Sequence, residues 1–191
     1  MNMKKILGII TLLVSATSFG QGYAAGDNVL GLGIGLGNTY QVSGTSTRIP
    51  PMQLYYEAGV SDQLGVGAFI GYTSTGRKEV FKDGFGNTHT YQYNYNYTLI
   101  GLRGAYHFGC LLGTVDNFDL YGGLSLGYAI LNTKLKTSDG APDIDDTKSS
   151  SSGFHLGVYA GMRYYFDDSF GVFGEIGYNI SVIQVGVVFK L

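Results

Sequence analysis

The chain has 191 residues, with 31 glycines, 16 tyrosines, 11 phenylalanines, 3 prolines, a single cysteine and no tryptophan; only 14% of residues are charged and the formal net charge is −2. Charged side chains at roughly half the share usual in a soluble domain exclude an ordinary enzyme surface, and the slightly acidic balance excludes the basic field that holds nucleic acid. Glycine without a Gly-X-Y period and with almost no proline excludes collagen and disorder, and a lone Cys110 excludes a disulfide framework.

In chain order, Lys4 and Lys5 precede the apolar run Ile6 to Val14 and then the small residues of Ser18-Phe19-Gly20. This is the order of a secretory signal peptide, too short to span a bilayer, expected over residues 1–20 with cleavage as late as Ala24. Residues 21–191 are then a single domain. From Asn28 to Asn38, Leu30, Leu32, Ile34 and Leu36 alternate with Gly31, Gly33, Gly35 and Gly37, the period of a strand. The same alternation recurs near 51–60, 64–73, 97–108, 118–131, 154–166, 170–179 and 182–191. Eight strands are predicted, most of about the length that crosses a bilayer at a tilt. Links near 39–50, 74–96 and 132–153 are long and polar, whereas Ser61-Asp62-Gln63 and Asp167-Asp168-Ser169 are tight turns. Short periplasmic turns and long external loops are the pattern of outer-membrane barrels. The 109–117 link and the brief Asn179-Ile180-Ser181 link depart from it.

Strand parity says which face meets lipid. Glu57, Arg103, Asp119, Arg163, Glu175 and Lys190 all fall opposite the apolar face, which random parity would give roughly once in sixty tries. Most strand glycines share that parity; Gly104, Gly122 and Gly174 lie on the apolar face. A face of glycine, tyrosine and balanced charge suits a narrow lumen, so the apolar face looks outward. A soluble lipocalin-like barrel is the alternative, but its surface would not stay soluble with this much apolar area. Aromatic residues gather at strand ends as girdles: Tyr106, Phe108, Phe118, Phe166, Phe170 and Phe189 on one side, Tyr72, Tyr128 and Phe154 on the other.

Eight strands enclose little more than the space that side chains fill, and charges persist there only when paired. Similar heights match Glu57 with Arg163 and Arg103 with Glu175, an interior network expected to include Gln53, Tyr55, Tyr121, Tyr159 and His155. Asp119 and Lys190 are expected at the wet rim, and the glycines of the first strand are expected to make room for Tyr55. In the second external link, Tyr91, Tyr93, Tyr95 and Tyr97 alternate with Gln92, Asn94 and Asn96, either as a contact surface or as the inward packing of a barrel extension.

No catalytic, metal or cofactor motif appears. None of His89, His107 and His155 faces lipid, where a lipid-trimming enzyme needs its base; a His155–Ser125 pair is the nearest approach to a transferase-like site. Asp143, Asp145 and Asp146 read as a solvated acidic loop, and Ser149 to Ser152 as a flexible run.

The ending Gln184-Val185-Gly186-Val187-Val188-Phe189-Lys190-Leu191 resembles the carboxy-terminal signal of outer-membrane barrels, with Gln184, Gly186, Phe189 and Leu191 at its characteristic positions. With eight strands and a signal peptide, the mature chain resembles the small OmpA- and OmpX-like outer-membrane β-barrel superfamily. The resemblance implies a Gram-negative outer membrane, termini in the periplasm, insertion by the barrel-assembly machinery, and contact with outer-membrane lipid and lipopolysaccharide. It implies no one activity. With nothing following Leu191, wall anchoring is not expected. The expectation is an all-β, eight-stranded antiparallel up-and-down transmembrane barrel, monomeric, without cofactor or enzymatic activity, acting structurally or on an unidentified extracellular partner. A narrow channel is the alternative, and a lipid-acyl-modifying enzyme the third reading.

Overall fold

The computed structural model describes residues 23–82, 84, 88–109, 117–138 and 148–191. The signal segment 1–20, Cys110 and the acidic residues 143–146 lie outside the described residues. Eight strands follow in order: β1 (Asn28–Asn38), β2 (Ser46–Gly59), β3 (Leu64–Lys82), β4 (Thr88–His107), β5 (Phe118–Ser138), β6 (Lys148–Tyr165), β7 (Phe170–Tyr178) and β8 (Ser181–Lys190). Each pairs antiparallel with the next, and β1 closes on β8 from Val29↔Lys190 to Asn38↔Ser181. Within the barrel, closure pairs every strand on both sides, which is what lets strands sit in hydrocarbon.

The barrel is lopsided. β7, β8 and β1 have 9, 10 and 11 residues, about a membrane thickness when tilted, whereas β3, β4, β5 and β6 have 19, 20, 21 and 18. The four long strands therefore continue past the bilayer as a ribbon, at the end opposite the termini. Stretches expected as loops turn out to be paired: the β3–β4 ladder runs unbroken from Leu64↔Tyr106 to Lys82↔Thr88, and Ser149–Ser152 pair with Thr133–Ile130. Ladder hydrogen bonds need no apolar side chains. Above the membrane the outward face becomes largely polar, with Lys78, Lys82, Gln92, Asn94 and Asn96, so the apolar side of the alternation that lipid requires fades while the pairing continues. The β2–β3 register shifts between Thr47 and Met52, around Pro50 and Pro51, which bring no N–H to the ladder. At the terminal end the turns are tight: Phe166 N–H donates to Phe170 O at 2.9 Å, and Asp167 Oδ1 accepts from the amides of Ser169 and Phe170 at 2.8 Å.

Parity sorts the faces as expected. Leu102 and Phe154 are each 66% exposed, while Arg103 beside Leu102 is 3% exposed. Leucine, isoleucine and valine exposed all round the barrel form a belt far larger than the apolar patch a soluble monomer tolerates. It is bordered at the terminal end by a chain of rings, Tyr164–Phe166–Phe170–Phe189, with centroids 5.4, 5.8 and 5.2 Å apart. At the far end Tyr128 meets Phe154 edge-on at 6.2 Å. Such girdles sit at membrane interfaces.

Candidate functional site in the lumen

The β5–β6 register sets Asp119 opposite Arg163, and the β6–β7 register sets Gly161 opposite Glu175. Glycines open the space: a methyl group on Gly31 would overlap the Tyr55 ring, and one on Gly161 would lie 2.7 Å from the Tyr121 hydroxyl. Two arginines fill what remains. Arg163 donates from Nη2 to Glu57 Oε1 at 2.7 Å and from Nη1 to Asp119 Oδ2 at 3.2 Å. Arg103 donates from Nη2 to Glu175 Oε1 at 2.7 Å, and its Nε lies 3.5 Å from Glu57 Oε2. Each guanidinium also lies over aromatic faces: Arg103 is 3.9 Å from the Tyr55 centroid and 4.4 Å from that of Tyr159, and Arg163 is 4.3 Å from Tyr121. Tyr121 donates its hydroxyl to Glu175 at 2.9 Å. The two expected ion pairs are thus both formed, and Glu57 joins them into one network.

Three details differ from the sequence reading. Asp119 is not at a wet rim: it is buried, held by Arg163 and by His107, whose Nδ1 is 2.8 Å away. Lys190 does sit at the rim, 3.1 Å from Asp27 and 4.7 Å above the Tyr165 ring, so the third base of the network is His107, whose Nε2 lies 3.3 Å from Glu57. Gln53 and His155 form a separate layer nearer the far end. There Asn179 donates to Gln53 Oε1 at 3.4 Å, and its own Oδ1 lies 3.0 Å from His155 Nε2.

Sequence reasoning missed two closing residues. Tyr23, just ahead of β1, stacks on His107 with centroids 3.5 Å apart and planes 7° from parallel, covering the network at the terminal end. Its place beside the signal segment hid it. Tyr40, just after β1, places its hydroxyl 2.8 Å from His155 Nδ1 and its ring 5.0 Å from Tyr97. Burial, with Tyr178 and Tyr97 nearby, pushes the Tyr40 phenol up to about 12. Both nitrogens of His155 are therefore engaged, by Tyr40 and Asn179, with Ser125 Oγ farther off at 3.4 Å. A serine–histidine nucleophile needs a histidine free to accept the hydroxyl proton and a third group, usually a carboxylate, to orient it. Here an asparagine oxygen and a tyrosine hydroxyl take the two ring nitrogens.

Tyr91, Tyr93 and Tyr95 stand on the inward parity of the ribbon, opposite Glu79, Arg77 and Thr75 of β3. Tyr95, like Tyr40 and Leu131, packs against the buried cluster that holds Tyr97 and Leu99. In the last strand, Gln184 and Gly186 face inward, where Gln184 is buried and Gly186 leaves room for Phe173. Phe189 joins the outer girdle. The Leu191 amide donates to Asn28 O at 2.8 Å, and its side chain is exposed.

Residues 9–187 match the family model of the outer membrane protein beta-barrel domain. The chain belongs to that family. It is an outer-membrane barrel of the Gram-negative type, in agreement with its exposed apolar belt and girdles. No curated relative matches the sequence. Among solved structures it is similar to the outer membrane protein OprG from Pseudomonas aeruginosa, at 14% identity and a TM-score of 0.49 over 91% of this chain and 99% of that one. It is also similar to the N-terminal β-barrel domain of OprF from the same organism, at 16% identity and a TM-score of 0.46 over 91% and 100%. A third is Ail, the attachment invasion locus protein of Yersinia pestis, solved in complex with the heparin analogue sucrose octasulfate, at 14% identity and a TM-score of 0.45 over 88% and 95%.

Proposed function

We propose that this protein is a non-enzymatic, monomeric barrel with a closed lumen, serving as a rigid platform for the ribbon that β3–β6 raise outside the membrane. One observation carries the reading: Arg103 and Arg163, at 3% and 0% exposure, are bonded across the lumen to Glu57, Asp119 and Glu175, with aromatic layers at both ends. A conducting pore needs a continuous wet path with sites an ion can leave. Here each carboxylate is paired with an arginine. The folded protein in a planar bilayer is expected to give no conductance steps, and Arg103→Ala is expected either to open a leak or to lower stability. Reproducible steps from folded wild-type protein would move the channel reading to first place; an Arg103→Ala variant unchanged in both properties would remove the network from the explanation.

Contact with an extracellular partner then falls to the ribbon, with Tyr91 and Tyr93 offering area at low entropic cost above the packed layer that Tyr95 shares with Tyr97. Removing residues 76–95 of the β3–β4 hairpin, and Tyr91, Tyr93 and Tyr95 with them, is expected to leave the heat-sensitive gel mobility of the folded barrel intact and to abolish binding to a cell or other partner. Binding that survives the deletion places the contact elsewhere. Gln184, Gly186, Phe189 and Leu191 supply the segment read by the assembly machinery during insertion.

A further inference from the structure

Residues 23–27, ahead of β1, form a strap across the terminal mouth of the lumen, fastened to β2, to the β2–β3 turn and to β8. The Gly26 amide donates to Gly59 O at 2.9 Å, and the Gly59 amide donates to Asp27 O at 2.7 Å. Asp27 also holds the strap to itself: its Oδ2 accepts from the Ala24 amide at 2.9 Å, while its own amide donates to Ala24 O at 3.1 Å. The Ala25 amide donates to Asp62 Oδ1 at 3.0 Å, and Lys190 of β8 lies 3.1 Å from Asp27 Oδ2. Gly26 permits the bend, at a φ of +89°.

The first residues of a domain are poorly ordered unless something ties them down. Tyr23 is 2% exposed, stacked on His107, with the Arg163 guanidinium 6.0 Å from its ring. Two glycines of the barrel wall make room for this segment. A methyl group on Gly65 of β3 would lie 2.5 Å from the Tyr23 hydroxyl oxygen, and one on Gly59 of β2 would lie 2.5 Å from Ala24 O. At both positions the atom that comes nearest belongs to the strap. The sequence offers two bonds at which an export leader could end: after Gly20, with Ser18 and Gly20 as the small flanking residues, or after Ala24, with Gly22 and Ala24. The second would discard Tyr23 and Ala24. It would uncover His107 and the carboxylates beneath it, Glu57 and Asp119, and would take from Asp27 both of its bonds to Ala24.

We propose that the leader is cut ahead of Tyr23, at the Gly20–Gln21 bond, and that the first residues of the mature chain are a permanent strap closing the periplasmic mouth of the lumen. Hydrolysis at that bond leaves a carboxylate on Gly20 of the departing leader and an α-ammonium on Gln21, two residues clear of the buried ring. A cut after Gly22, which also has small residues on its amino side, would put that charge on Tyr23 itself, where burial penalises it. The assignment rests on the exported, outer-membrane reading of the chain and is independent of whether the lumen conducts.

Intact mass and amino-terminal sequencing of the protein extracted from the outer membrane of cells that export the full chain test the bond. A chain that begins at Gln21 is expected. One that begins at Tyr23 overturns the assigned bond, one that begins at Ala25 overturns the strap, and an uncut chain overturns the leader reading on which both rest. Urea titration in lipid tests what the strap does. A chain of residues 25–191 is expected to unfold at a urea concentration lower by about 1 M or more than a chain of residues 21–191, as a buried aromatic ring is lost. Tyr23→Ala in the longer chain is expected to show most of the same shift. Tyr23→Phe is expected to match wild type, because the Tyr23 hydroxyl is buried without a hydrogen-bond partner and only its ring covers His107. Equal midpoints for the two chains, or for Tyr23→Ala and wild type, overturn the closing role.

Discussion

Arg163→Met is expected to destabilise the barrel by about 3–5 kcal/mol, because it leaves two carboxylates, Glu57 and Asp119, without their shared cation inside a low-dielectric lumen. Methionine keeps much of the apolar stem, so the loss reports charge and hydrogen bonding rather than volume. Glu57 retains contacts to His107 and to Arg103 Nε, but these are longer, at 3.3 and 3.5 Å against 2.7 Å to Arg163. Neutralising the acids as well, in Arg163→Met with Glu57→Gln and Asp119→Asn, is expected to recover a substantial part of the loss, since a buried pair removed whole costs far less than a pair broken. Urea titration of the protein folded into lipid, followed by gel mobility, measures both. A single variant as stable as wild type, or a triple variant as unstable as the single, contradicts the network's role.

The same residues show what a sequence can and cannot reveal about such a barrel. Parity is legible because a strand has only two faces, so Glu57, Arg103, Arg163 and Glu175 fall to the lumen, and their pairing follows from counting heights. The same counting misplaces Asp119. It stands second in β5, close to the end of its strand, but Tyr23 folds in from ahead of β1 and covers the layer that Asp119 occupies; no periodicity marks a capping residue outside a strand. His107 showed lumen parity and nothing more, because its two carboxylate partners come from β2 and β5, 50 and 12 residues away in sequence. The rest of the ribbon hides for a different reason. Tyr91 to Tyr97 keep an alternation that hints at an extension of β4, but β3 beyond Tyr72 has no lipid to write an apolar face into it, even though Lys82 and Thr88 are still paired.

Gly31→Leu is expected to prevent most of the chain from reaching the folded form. Nothing in the backbone forbids a side chain there: Gly31 sits inside β1, without a left-handed φ, flanked by Leu30 and Leu32, which point to lipid. The obstacle is the Tyr55 ring, which occupies the position a Cβ would take. That ring cannot step aside, because it is 1% exposed, meets Phe173 edge-on at 5.4 Å, and carries the Arg103 guanidinium 3.9 Å from its centroid. Overpacking of this kind costs about 1–3 kcal/mol per added group and more where neighbours are pinned. Combining Gly31→Leu with Tyr55→Ala is expected to restore folding in part, through a favourable coupling between the two sites, although Arg103 then loses one of its aromatic faces. The folded fraction, read from gel mobility after refolding into lipid, decides the matter. If Gly31→Leu folds as well as wild type with Tyr55 in place, the glycine ladder of β1 owes nothing to the lumen. If only the double variant recovers, the run Gly31-Leu32-Gly33-Ile34-Gly35 is the imprint of bulky side chains arriving from the neighbouring strands, and its glycines are as much part of the closed interior as the arginines.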